Sequence, residues 1–195
     1  MFIAIPLSAE ARDAVTSLVA SLPVPAGRAV RWVRFDGLHL TIRFLGPTPS
    51  DRLGAVGAAV AAVAAGEWPF NVSIRGAGAF PNLRRPRALW LGVDEGSADL
   101  SRLSREANAA LVAAGWSTDD RPYRPHLTLA RSDGVRAGPA TASALIEAAR
   151  GFTVTFTADR LVLFESLTGG GPARYEPMAE HRLTGGPARR TAAEA

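Results

Sequence analysis

The 195-residue chain contains no cysteine, so structural disulfides, thiolate metal sites and a cysteine nucleophile are excluded together. Lysine is missing as well. All 22 basic residues are arginine, against 18 acids, which gives a formal charge of +4 and a sequence pI near 10.8. In an alanine- and glycine-rich chain this reads as coding bias: the excess permits a polyanionic partner but does not identify one. No run approaches the roughly 18 apolar residues of a spanning helix. The opening MFIAIPLSAEARDAV lacks a basic leader and a small-residue cleavage site. Neither a membrane protein nor a signal peptide is expected, and the expected location is cytoplasmic. Histidine is scarce, with only His39, His126 and His181 present.

What is there suits an ordinary globular domain. Hydrophobic residues make up 47% and charged residues 21%, and the length fits one domain or two small lobes sharing a core. Periodicity predicts a strand at the N-terminus, then a helix over 8–22 with Ser8 as its cap. Strands are predicted over 29–34 and 38–46, separated by the turn-like FDG, and a helix over 48–65 with Ser50 as cap. Further strands are expected at 70–80 and 87–93, with a helix over 97–115 ending at Gly115. The second half repeats the theme with a strand at 125–131, a helix over 137–150, one or two strands over 152–166 and a last strand at 173–183. This pattern predicts an α+β, bilobal fold of two pseudo-symmetric lobes, each an antiparallel sheet backed by helices. The expected domain is 1–183, and residues 184–195 are expected to form a disordered tail with little to bury.

Two of the three histidines open the same tripeptide, His-Leu-Thr, once in each half: HLTIRFLG at 39–46 and HLTLAR at 126–131. Alternation along a strand predicts that His39, Thr41 and Arg43 share one face while Leu40, Ile42 and Phe44 face inward. His126 and Thr128 share a face in the same way, opposite Leu127 and Leu129. Each strand would then present an imidazole and a hydroxyl about 7 Å apart at the backbone. If the two sheets pack side by side, both HxT pairs face a central cleft.

Two imidazoles in one cleft can serve as base and acid near neutral pH, and threonine hydroxyls beside them can bind phosphate oxygens. That set fits in-line displacement at phosphorus without a metal. A lone histidine on a half-buried strand is usually a packing residue, but a matched pair in identical contexts is poorly explained by packing. His181, in MAEHRL, has no such context and reads as structural. Neither motif carries a carboxylate two residues on, and Asp36 and Asp133 lie in flanking turns, so no metal site and no cofactor are expected. No G-x-S-x-G elbow is present for a serine hydrolase.

With these residues in view, the chain resembles the two-histidine phosphoesterase superfamily. Within it, the chain resembles the bacterial and archaeal RNA 2′,3′-cyclic phosphodiesterases of the LigT/ThpR type, once named 2′-5′ RNA ligases. The two motifs carry the resemblance, with MFIAIPL, FPNLRRPRALWLGV (80–93) and ARYEPMAEHRL (173–183) in support. It implies metal-independent hydrolysis of a 2′,3′-cyclic phosphate on RNA ends or nucleotides to a 2′-phosphomonoester. His39 would protonate the leaving 3′ oxygen, His126 would activate water, and Thr41 and Thr128 would hold phosphate oxygens. Arg131 would stabilise the charge of the pentavalent transition state. Arg43 is a candidate for the phosphate or the rim, and Phe44 is expected in the core. Trp32, Phe80 and Tyr123 are candidates for base stacking, and the 83–87 loop is a candidate for RNA phosphates. The protein is expected to act as a monomer. The same histidines would equally serve 2′-5′ ligation or opening of another cyclic phosphodiester. A non-catalytic RNA or nucleotide binder could use the same cleft, although binding alone needs no paired proton carriers.

Overall fold

A computed structural model describes residues 1–23, 30–167, 169 and 172–185. The elements follow the predicted order: β1 (Phe2–Pro6), α1 (Ala9–Ala20), β2 (Val30–Trp32), β3 (His39–Phe44), α2 (Leu53–Gly66), β4 (Phe70–Phe80), β5 (Ala88–Val93), α3 (Ser97–Ala113), β6 (His126–Ser132), α4 (Gly138–Ala148), β7 (Thr153–Ala158), β8 (Arg160–Leu167) and β9 (Arg174–Arg182). Ser8 caps α1 as expected, its hydroxyl accepting from the Ala11 amide at 3.2 Å. Ser50 does not cap α2. Ser50–Arg52 instead form a 3-10 turn, and α2 begins at Leu53 with no side-chain cap. The chain leaves α3 through Gly115 at φ 85°, a left-handed conformation that glycine adopts without penalty.

The strands form two antiparallel sheets, one ordered β3-β1-β8-β9 and the other β2-β6-β5-β4-β7. Helices α2 and α3 back the first sheet, while α1 and α4 pack on the second. In α3, Leu100, Leu103, Ala107 and Leu111 are buried at helical spacing against that first sheet, which contributes Ile3, Ile5 and Leu40. The second sheet contributes Ile74, Leu89, Leu91, Leu127 and Leu129 to the same continuous core. None of the described helices is long and apolar enough to cross a membrane.

The fold is the expected bilobal α+β arrangement, but the lobes are not the two halves of the chain. The first sheet takes β1 and β3 from the N-terminal end and β8 and β9 from the C-terminal end, while β2 crosses to the edge of the second sheet beside β6. Of the predicted tail, Thr184 and Gly185 donate backbone hydrogen bonds to the carbonyls of Ala64 and Glu67, at 3.2 and 2.9 Å. Residues 186–195 lie outside those described.

Candidate active site

The sheets meet along β3 and β6, the strands that carry the two motifs. Their local designs match position by position. In β3, Thr41 pairs with Ala4 and Arg43 with Ile3, leaving Ile42 as an extra residue. In β6, Thr128 pairs with Trp90 and Ala130 with Leu89, leaving Leu129 extra in the same place. Each strand therefore carries a β-bulge directly after its HxT motif. The carbonyls of the two extra residues are satisfied outside the β1–β3 and β5–β6 pairings. Ser104 of α3 donates to the Ile42 carbonyl at 3.1 Å, and the Val33 amide donates to that of Leu129 at 2.9 Å.

The bulges reverse the alternation behind them, and this corrects two sequence expectations. Arg43, predicted on the His39 face, turns to the opposite side and is only 9% exposed. Its guanidinium bonds Asn108 Oδ1 at 3.1 Å, the Phe44 carbonyl at 2.5 Å, Asp119 at 3.3 Å and the Ser117 carbonyl at 2.7 Å. It is a tie between β3, α3 and the loop that follows α3, not a phosphate ligand. Phe44, predicted in the core, is 52% exposed and lies on the histidine face, its ring centroid 6.0 Å from that of Phe2. In β6 the same reversal brings Arg131, five residues after His126, onto the cleft face. There its positive charge acts on both His126 and, from the other lobe, Tyr175.

The two imidazoles are held alike. His39 Nδ1 lies 2.8 Å from the Gly37 carbonyl and His126 Nδ1 2.7 Å from the Arg124 carbonyl. A carbonyl oxygen only accepts, so Nδ1 carries a proton in each ring, and the neutral form keeps its lone pair on Nε2. Neither Nε2 has a partner among the described residues. Burial lowers both imidazole pKa values. The carbonyl bonds oppose this in part, and Arg131 depresses His126 further.

Aromatic rings line both sides. His39 stacks on Phe2 at 4.7 Å and meets the edge of Tyr175 at 5.0 Å, with Phe164 behind at 6.0 Å. His126 meets Phe80 edge-on at 5.0 Å and Trp90 at 6.4 Å. Trp90 lies flat against the backbone opposite, where a Cβ on Gly78 would stand 2.3 Å from the indole; only glycine leaves that space. Of the three residues named for base stacking, only Phe80 joins the histidine face. Trp32 pairs with Ala130 and packs on the core. Tyr123 is withdrawn, its hydroxyl donating to the Thr41 carbonyl at 3.0 Å and so joining the segment before β6 to β3; burial raises its pKa. Sequence reasoning passed over Phe2, Phe164, Tyr175 and Trp90. The signal available was alternation in β1, β5, β8 and β9 once their places in the sheets of the motif strands are known. A cavity of about 890 Å³ between α2 and α3, lined by Glu67, Trp68 and Arg102, contains neither histidine.

The family model of the 2′-5′ RNA ligase superfamily matches residues 7–170. The chain belongs to this superfamily. It is 36% identical over 194 residues to an RNA 2′,3′-cyclic phosphodiesterase of Geobacillus stearothermophilus, an alignment covering 97% of this chain and 59% of the relative. The chain thus spans less than two thirds of that relative's length. It is 37% identical over 135 residues to an RNA 2′,3′-cyclic phosphodiesterase of Methanothermobacter thermautotrophicus, covering 69% of this chain and 72% of the relative. Among solved structures, Escherichia coli LigT complexed with 3′-AMP superposes with a TM-score of 0.74 at 27% identity, covering 94% of this chain and 97% of the other.

Proposed function

We propose that the protein is a metal-independent RNA 2′,3′-cyclic phosphodiesterase that acts as a monomer in the cytoplasm on RNA ends or nucleotides. The observation that carries this reading is the matched setting of His39 and His126: one on each lobe, each with Nδ1 committed to a carbonyl and Nε2 left unpartnered. Both histidines come from a single chain, so one copy holds the whole constellation. The names of the relatives support the substrate class.

His126 Nε2 accepts the proton of a water whose oxygen attacks phosphorus, and the bond to O3′ breaks. His39 delivers its Nε2 proton to the departing O3′, so the product is a 2′-phosphomonoester with a free 3′-hydroxyl. Proton exchange with solvent then resets the pair. Thr41 and Thr128 hold the nonbridging oxygens, and Arg131 balances the charge that grows on them in the transition state. The same acid-base pair would serve a 2′-5′ ligase. The test is incubation with 2′,3′-cyclic AMP in excess EDTA, with the position of the product phosphate determined afterwards. Full activity and a 2′-phosphate are expected, and turnover that requires added divalent metal would overturn the mechanism.

The pH dependence follows from burial. kcat/KM reports the free enzyme, in which the base must be neutral and the acid protonated. Desolvation lowers both imidazoles, so the window with one proton on the pair moves to the acid side of the ordinary value of about 6.5. kcat/KM is therefore expected to peak below about pH 6.5 and to decline through neutrality. Bound anionic phosphate favours the charged imidazole, so the kcat optimum lies at higher pH. Rate profiles with one cyclic nucleotide check both; a kcat/KM maximum on the alkaline side of neutrality contradicts the assignment.

A further inference from the structure

The pseudo-symmetry of the two sheets makes one difference between them easy to read. The row one step past each bulge runs Phe44–Phe2–Phe164 in the first sheet. In the second sheet the equivalent row is Arg31–Arg131–Ala88–Phe80. On the motif strand the same place is Phe44 in one lobe and Arg131 in the other, and β2 sets Arg31 beside it. Arg31 and Arg131 are direct cross-strand partners, so their side chains rise from one face about 5 Å apart, an arrangement that like charges disfavour. Among the described residues no carboxylate lies within salt-bridge distance of either. Arg34, Arg75 and Arg150, elsewhere on the surface, each have one. The loop after Phe80 adds Arg84 and Arg85 at the same corner. It is held against the end of β6 by Ser132, whose hydroxyl donates to the Pro86 carbonyl, and by the Ser132 amide bonding the Arg87 carbonyl. An unneutralised cationic pair, continuous with the phosphate site and flanked by further arginines, calls for a chain of phosphates.

We infer that the RNA strand on the 5′ side of the cyclic end leaves the cleft over the β2–β6 corner, with its backbone phosphates on Arg31 and on the arginines of the 83–87 loop. This rests on the proposed function and extends it. The enzyme selects RNA ends over free cyclic nucleotides, and it does so by charge. Single-stranded binding through phosphates weakens with salt, the logarithmic slope falling by about 0.7 per phosphate contact. A free cyclic nucleotide offers no such second phosphate.

The test compares a short oligouridylate ending in a 2′,3′-cyclic phosphate with 2′,3′-cyclic UMP across a salt series, for the wild type, Arg31→Ala and the Arg84→Ala/Arg85→Ala pair. The wild type is expected to prefer the oligonucleotide in kcat/KM, and the preference to shrink as salt rises. Arg31→Ala is expected to lose about 5-fold on the oligonucleotide, with a salt slope shallower by about 0.7, and to turn over cyclic UMP as the wild type does. Arg150→Ala, which removes an exposed arginine of the 3-10 turn that follows α4, controls for net charge and should leave the slope unchanged. Equal losses on both substrates, or an unchanged slope in both track variants, would overturn the inference. If the wild type hydrolyses neither substrate, the proposed function fails instead. Fluorescence anisotropy with a 3′-phosphorylated oligouridylate still tests the track, because Arg31→Ala must weaken that binding and flatten its salt slope.

Discussion

Replacing His39 or His126 by asparagine is expected to reduce kcat/KM by about 10²–10⁴-fold each, the usual contribution of a positioned acid or base. Asparagine is the informative choice. Its side-chain amide can still donate to the Gly37 or Arg124 carbonyl that holds Nδ1, so the substitution removes Nε2 while keeping the local tie. Alanine at position 39 would also open a space among Phe2, Phe164 and Tyr175 and confuse lost chemistry with lost packing. The double variant should be little worse than either single one, because the two groups act in one transition state. An activated aryl phosphodiester, whose leaving group needs no proton, assigns the roles. With it, His39→Asn should lose much less than His126→Asn; the opposite ranking reverses acid and base. His181, on the β9 edge strand, should tolerate replacement with activity intact.

The second large effect separates two arginines that look alike in the sequence. Arg131→Ala is expected to lower kcat/KM by about 10²–10³-fold, the cost of removing one preorganised group that stabilises transition-state charge, with little change in Tm. Arg43→Ala should do the reverse. It strips donors from Asn108, Asp119 and two backbone carbonyls at a site that is 9% exposed. Leaving the Asn108, Phe44 and Ser117 oxygens short of a donor there costs about 3 kcal/mol, which for a chain of this size lowers Tm by about 6–12 °C. The Arg43 variant that remains folded should keep most of its kcat/KM. Asp119 retains Arg121, which holds its carboxyl down at about 2, so no bare buried acid is left behind. Thermal unfolding and steady-state kinetics on both variants give the comparison. Matching phenotypes would mean that the bulges do not divide the arginines as described.

The sequence by itself determined the order of elements, the bilobal α+β class and the pairing of two HxT motifs. Each of these depends on local periodicity or on residue type at fixed spacing. It also placed His39 with Thr41 and His126 with Thr128, because a two-residue step along a strand preserves the face. Beyond Thr41 and Thr128 strict alternation failed, since a bulge inserts one residue without any signature in composition. Tertiary structure alone decided that Arg43 turns inward, that Phe44 is exposed, and that Arg131 rather than Arg43 shares the face with a histidine. It also decided that the lobes interleave: β1 and β8, from opposite ends of the chain, pair in one sheet, while β2 crosses to the other. The aromatic walls followed from that pairing. Phe2, Phe164 and Tyr175 flank His39 only because long-range register aligns β1, β8 and β9 beside β3, and register is set by the meeting of whole sheets rather than by any one strand.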